Sequence, residues 1–152
     1  GFNNAIKYRH SLGPVTFGFM YALPDSSATG QPVSGASYEF GATKAAAGVS
    51  DSLKGKDGHP GSMLVVDFNV SRMLRPDLAL AGGYGHTNYP AGNFATDNVK
   101  VSFDNLLSKR TDVFIALVFE HVLSSGYAPM FMLGAASGGN QLSVNVGILH
   151  NF

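Results

Sequence analysis

The chain is 152 residues long, 45% apolar yet only 13% charged, with no Cys or Trp and with 10 basic residues balanced by 10 acidic ones. A soluble globular chain usually carries about 25% charged residues, so this surface is under-charged for water, while zero net charge gives no field to gather nucleic acid and the absence of cysteine excludes disulfide and thiol chemistry. Glycine (19), phenylalanine (11) and tyrosine (6) supply turn-formers and strand-formers and predict a single all-β domain.

No stretch approaches the roughly 18 apolar residues of a membrane helix, the longest apolar run being Val113 to Phe119. The first residues, Gly-Phe-Asn-Asn-Ala-Ile-Lys, lack the basic and apolar regions of a secretory signal and do not begin with Met, so further sequence is expected upstream.

Taken in chain order, nine segments alternate with a period of two. Asn3 to Ser11 sets Ile6, Tyr8 and His10 opposite Ala5, Lys7 and Arg9. Val15 to Ala22 sets Val15, Phe17, Phe19 and Tyr21 opposite Thr16, Gly18, Met20 and Ala22. Gly35 to Phe40 carries Ala36, Tyr38 and Phe40 against Ser37 and Glu39. Thr43 to Asp51 is the least decided, because its Ala-rich centre also suits a helix. Met63 to Arg72 sets Leu64, Val66, Phe68 and Val70 against Val65, Asp67, Asn69 and Ser71. Leu78 to Tyr89 places Leu78, Leu80, Tyr84 and His86 opposite small residues. Val99 to Leu107 sets Val101 and Phe103 against Lys100, Ser102 and Asp104. Asp112 to Val122 is apolar on both faces, with Phe114, Ala116 and Val118 beside Glu120 on the inner one. Leu142 to Phe152 closes the series, with Leu142, Val144, Val146, Ile148, His150 and Phe152 on one face and Ser143, Asn145, Gly147, Leu149 and Asn151 on the other.

Short connections (12 to 14, 41 to 42, 73 to 77, 108 to 111) alternate with long polar ones (23 to 34, 52 to 62, 90 to 98, 123 to 141). That is the asymmetry of an antiparallel transmembrane barrel, with tight turns at one rim and long loops at the other. Charge placement agrees, since a lipid-facing charge near mid-membrane costs about 2 to 4 kcal/mol and one in a watery lumen costs little. On this phasing Lys7, Arg9, Glu39, Lys44, Asp67, Lys100, Asp104 and Glu120 all fall on the inward face and are the candidate pore-lining residues. The outward face is aliphatic and aromatic. Tyr8, Phe17, Phe40 and Phe152 are expected near the short-turn edge, and Tyr21, Tyr84 and Phe119 nearer the loops.

Asn4-Ala5-Ile6-Lys7-Tyr8, the strand Val15 to Tyr21, Ser37-Tyr38-Glu39-Phe40-Gly41, Leu107-Ser108-Lys109-Arg110-Thr111-Asp112 and the ending Val146 to Phe152 resemble the C-terminal portion of Gram-negative trimeric general-diffusion porins, the β-proteobacterial type above all. The resemblance spans nearly the whole chain. It implies a sixteen-stranded water-filled barrel in the cell outer membrane, a homotrimer embedded in the lipid bilayer. It also implies a last strand read by the barrel-assembly machinery through Phe152, with His150 and Ile148 in the same signal. Such barrels have an even strand count, so nine segments read as an N-terminally incomplete barrel domain over 1–152, lacking the family's first seven strands and its inward-folded constriction loop. Leu149 stands where relatives commonly carry Arg.

Five histidines (10, 59, 86, 121, 150) form no i, i+2 or i, i+4 pair, so neither a metal nor any other cofactor is expected. His86, His121 and His150 fit the amphipathic membrane boundary instead. No nucleophile elbow or phosphate loop occurs in the sequence, so no catalytic residue is assigned and the chain is not expected to be an enzyme. The expectation is a passive diffusion channel for small hydrophilic solutes and ions, weakly selective because Lys7, Arg9, Lys44 and Lys100 are opposed by Glu39, Asp67, Asp104 and Glu120. The alternatives are a small barrel holding an apolar ligand against Met20, Val65, Phe114 and Val118, and a surface-loop adhesin or receptor.

Overall fold

The computed structural model describes residues 4–23, 30–54, 61–90, 93–123, 129–130, 134–135 and 138–150. Nine strands form one antiparallel meander: β1 (Ala5–Leu12), β2 (Val15–Ala22), β3 (Gln31–Phe40), β4 (Thr43–Lys54), β5 (Gly61–Arg75), β6 (Leu78–Tyr89), β7 (Phe94–Ser108), β8 (Thr111–Val122) and β11 (Asn140–His150). Each pairs with the strand before and after it, and β1 and β11 are the two edges. A separate hairpin of β9 (Pro129–Met130) and β10 (Gly134–Ala135) sits within the connection from β8 to β11. Among the described residues there is no α-helix, and the fold is the all-β antiparallel meander of a barrel wall.

The four tight turns are two-residue loops. Gly13-Pro14 and Gly41-Ala42 place a glycine with φ of 55° and 59° at the first loop position, a left-handed backbone that suits the strand twist of a hairpin and that a Cβ would oppose. Pro76-Asp77 is closed by an Arg75 to Asp77 ion pair of 3.2 Å, and at Lys109-Arg110 the Arg110 N–H donates to Ser108 Oγ at 3.1 Å. Ladder irregularities next to these last two, at Met73/Arg75 and Leu106/Ser108, mark β-bulges at the same rim. All four long connections leave from the opposite rim.

Several strands run further than the side-chain alternation predicts. β3 begins at Gln31 and not Gly35; Pro32 is tolerated because only its β2 flank has a register partner there, Tyr21. β7 begins at Phe94 and not Val99, so the predicted loop 90–98 shortens, because Thr96, Asp97 and Asn98 each face a partner on β6. β5 outruns its predicted Met63 to Arg72 at both ends, and β11 starts two residues before Leu142. The Ala-rich centre of β4 is strand, since Ala45, Ala46 and Ala47 have register partners on both sides and pairing outweighs intrinsic helix propensity.

The burial pattern inverts that of a water-soluble domain. Ala22 and Val122 are the only buried hydrophobic residues among those described, while Phe17, Phe68, Leu117, Val146 and many others stand exposed. A compact globular chain of 16.0 kDa would expose about 7,400 Å², whereas this chain exposes 10325 Å². Among the described residues there is no interior hydrophobic core.

Register is the feature that decides which side chains share a face, because a one-residue slip moves every side chain to the other side. Val99 and Phe119 are register partners on β7 and β8. The pair Val99→Cys and Phe119→Cys should therefore crosslink under mild oxidation, whereas Val99→Cys with Val118→Cys should not; the reverse yield would show a slipped register.

Candidate functional site

Register partners in an antiparallel sheet lie on one face, so the ladders assign every strand residue to one of two surfaces. The first carries Ile6, Tyr8, Leu12, Phe17, Phe19, Tyr38, Phe40, Leu64, Val66, Phe68, Tyr84, Val99, Phe103, Ile115, Leu117, Phe119, Leu142, Val144, Val146 and Ile148, all of them exposed. The second carries all eight candidate charged residues, Lys7, Arg9, Glu39, Lys44, Asp67, Lys100, Asp104 and Glu120. Asp112, opposite Leu106, belongs to this polar face as well. Over β1 to β4 the polar face carries a shallow, open trough of about 670 Å³ with Lys7, Arg9 and Lys44 among its lining residues.

The ladder brings some of these charges together and leaves others apart. Lys44 and Glu39 are register partners beside the β3–β4 turn and form an ion pair of 3.0 Å. Lys100 on β7 reaches across β6 to Asp67 on β5, 3.1 Å away. Glycine makes that reach possible. A Cβ at Gly85 would lie 2.8 Å from Asp67 Oδ1 and 2.8 Å from Asn98 Nδ2, and one at Gly83 would overlap Asn69 Oδ1. The polar side chains of β5 and β7 thus lie over the bare backbone of β6 and meet there. Lys7 and Arg9 on β1, and Asp104, Glu120 and Asp112 on β7 and β8, have no ion pair among the described residues. Once the paired charges cancel, one end of the wall is cationic and the other acidic.

The apolar residues of the polar face are dispersed. Met20 faces Lys7, Val65 faces Thr87, Val118 faces Lys100 and Phe114 faces Asp104. The outer end of the Phe114 ring fills the space over Gly147, where a Cβ would sit 2.5 Å from its Cζ. Leu149 faces Asp112 and is exposed.

The apolar face is bounded by polar side chains at both ends. On β8 and β11, Thr111 Oγ1 and His150 Nδ1 are 2.8 Å apart at the tight-turn end, and His121 Nδ1 and Asn140 Oδ1 are 2.6 Å apart at the loop end. Between them the face holds only Val113, Ile115, Leu117 and Phe119 with Ile148, Val146, Val144 and Leu142. Thr111 and His121 lie ten residues apart on one strand, a rise of about 33 Å at 3.3 Å per residue. With the usual barrel tilt of 35–45° that is a band roughly 25 Å tall, the height of the apolar belt of an outer-membrane barrel. On β6 and β7, near the loop end, Asp97 Oδ1 accepts from Tyr84 Oη at 2.6 Å and lies 2.7 Å from His86 Nδ1. Sequence reasoning placed Asp97 in a loop; His86 and Tyr84, at i and i−2 on the neighbouring segment, were the signal for its position. Ile148 and His150 fall on the apolar face, and Phe152 lies outside the described residues.

The β6 glycines yield a direct test of the ion-pair geometry. Gly85→Val should destabilise the protein by about 1–3 kcal/mol through overpacking and break the Asp67 to Lys100 pair. Gly82→Val, on the opposite face with only Lys100 O at 3.7 Å from its Cβ, should be nearly neutral. Denaturant unfolding in one detergent compares the two.

No protein-family model and no curated protein matches the chain. Among solved structures, the anion-selective porin from Comamonas acidovorans is similar, with a TM-score of 0.58 at 17% identity over 99% of this chain and 60% of that one. The chain thus spans about three fifths of that porin's length, and the likeness lies in its fold: this nine-stranded meander has the architecture of a porin barrel wall.

Proposed function

We propose that the chain forms part of the wall of an outer-membrane porin, a water-filled channel through which small hydrophilic solutes and ions diffuse passively. One observation carries the reading: most of the large apolar side chains of the nine-stranded sheet share one exposed face, and the eight charged candidates share the other. A face that is apolar over a band of bilayer height, bordered by histidine and tyrosine hydrogen bonds, suits lipid; a face of lysine, aspartate, asparagine and glycine suits water. The porin likeness supports the same assignment. In this reading the protein is a conduit with no covalent chemistry, and it resides in the outer membrane of a Gram-negative bacterium.

Strand parity adds a condition. In a nine-stranded meander β1 and β11 run in the same direction, so an antiparallel barrel closes only with an odd number of further strands. Unpaired backbone groups at the two edges are costly in hydrocarbon, and closure satisfies them. We infer that this chain is the C-terminal portion of such a barrel, that it works as a homotrimer, and that the end of β11 with Phe152 serves as its assembly signal.

Of the four basic candidates, Lys44 and Lys100 are already neutralised by Glu39 and Asp67, so Lys7 and Arg9 dominate attraction of anions. In planar bilayers Lys7→Gln with Arg9→Gln should shift the reversal potential toward cations, and an unchanged potential removes both from the conduction path. Placing a charge on the apolar face supplies a second measurement. Leu117→Arg should cost about 2–4 kcal/mol in lipid, whereas Ala116→Arg, one residue earlier on the polar face, should cost within about 0.5 kcal/mol; equal penalties would contradict the assignment of faces.

A further inference from the structure

We propose that Arg72 is the head-group anchor of a bound anionic phospholipid, held on the outside of the wall in the leaflet that meets the tight-turn rim. This rests on the porin reading above, because the apolar face must meet lipid. Register places Arg72 on that face: its partners are Thr43 on β4 and Leu80 on β6, and the same row continues to Phe40 on β3 and Phe103 on β7. The Arg72 side chain is exposed there.

This guanidinium has no counter-charge in the protein. Among the described residues it makes no ion pair and no hydrogen bond. The carboxylates of the adjoining turns are taken, Asp77 by Arg75 at 3.2 Å and Glu39 by Lys44 at 3.0 Å. The acids that share the apolar face lie toward the loop end. Asp97 is engaged there by Tyr84 and His86, and Asp51 stands opposite Leu64, eight residues and about 26 Å along β5 from Arg72. An anion that pairs with Arg72 therefore comes from outside.

Depth decides what kind of anion. On the apolar face the Arg72–Leu80 pair is one step inside Arg75–Leu78, the last pair before the Pro76-Asp77 turn, just as Val113–Ile148 is one step inside the Thr111–His150 border of β8 and β11. The backbone of Arg72 thus lies within the edge of the apolar band, and its long side chain can run along apolar surface and set its charge at head-group level. A dissolved anion reaching that edge gives up water to apolar neighbours for a single contact. A phospholipid brings its phosphate to that level and covers Leu80 and Phe103 with its acyl chains in the same event. The phosphodiester accepts two parallel hydrogen bonds from a guanidinium, and Thr43 adds a hydroxyl on the same face. An acidic phospholipid is favoured over a zwitterionic one, whose own ammonium competes for the phosphate.

The test counts the lipids that stay bound when the protein is released into a native mass spectrometer from nanodiscs of phosphatidylglycerol and phosphatidylethanolamine in equal parts. Phosphatidylglycerol should be retained over phosphatidylethanolamine about fivefold, the gain expected of one basic residue at an anionic membrane surface, and Arg72→Gln should abolish that preference. Arg75→Gln should leave it unchanged, because that guanidinium is already matched by Asp77. With the unaltered protein, inorganic phosphate added before release should not displace the lipid. Equal retention of the two lipids, an undiminished preference in Arg72→Gln, or displacement by inorganic phosphate overturns the site while leaving the channel intact. A protein that does not insert into the nanodisc bilayer overturns the porin reading first.

Discussion

Among the described residues, the large apolar side chains have no second layer of the protein to pack against. Burial of apolar surface is the dominant favourable term in folding, and in a soluble β-domain it is obtained by laying the hydrophobic face of a sheet on a second layer. Here a single layer carries most of its apolar load on one side and leaves it bare. The architecture holds together only if the surroundings supply the missing layer, and in the proposed reading lipid does so over a band roughly 25 Å tall. Everything else follows from that requirement: both flanks of each inner strand paired, tight turns gathered at one rim, and most charge gathered on the opposite face, with Asp51, Arg72 and Asp97 toward strand ends on the apolar one.

The polar face is organised by what is absent from it. Gly83 and Gly85 leave room for Asn69 and Asn98 and let Asp67 and Lys100 meet across a strand and neutralise each other, while Gly18, Gly35 and Gly48 leave a bare floor beside two cations that have no ion pair among the described residues. Two ion pairs, Lys44 with Glu39 and Lys100 with Asp67, are half-exposed and worth little to stability. Their effect is on the field, since they remove four charges from the wall and leave cations on β1 and carboxylates on β7 and β8 as its poles.

Much of this was legible because a strand has a period of two, and the period survives wherever one face is apolar. Val15 to Ala22, Met63 to Arg72 and Leu142 onward announce both their existence and their phase, and the ladder keeps the face assigned to each described strand residue. Strand ends were less legible. Thr96, Asp97 and Asn98 are polar on both sides and read as loop, and only the pairing with Thr87, His86 and Gly85 shows them to be strand. Pro32 hid the start of β3 for the opposite reason, as a residue that breaks ladders but here meets only one. Which charges cancel was invisible to the period altogether, because Asp67 and Lys100 lie 33 residues apart and meet over a glycine whose role is spatial.

The most direct measurement of the central claim is a spin-label scan of β8 from Val113 to Phe119 in lipid bilayers, comparing accessibility to oxygen, which concentrates in lipid, with accessibility to a water-soluble nickel chelate. The two should alternate out of phase, with Val113, Ile115, Leu117 and Phe119 reached by oxygen and Phe114, Ala116 and Val118 by the chelate. Oxygen accessibility that is uniform along the strand, or alternation of the opposite phase, would contradict the account.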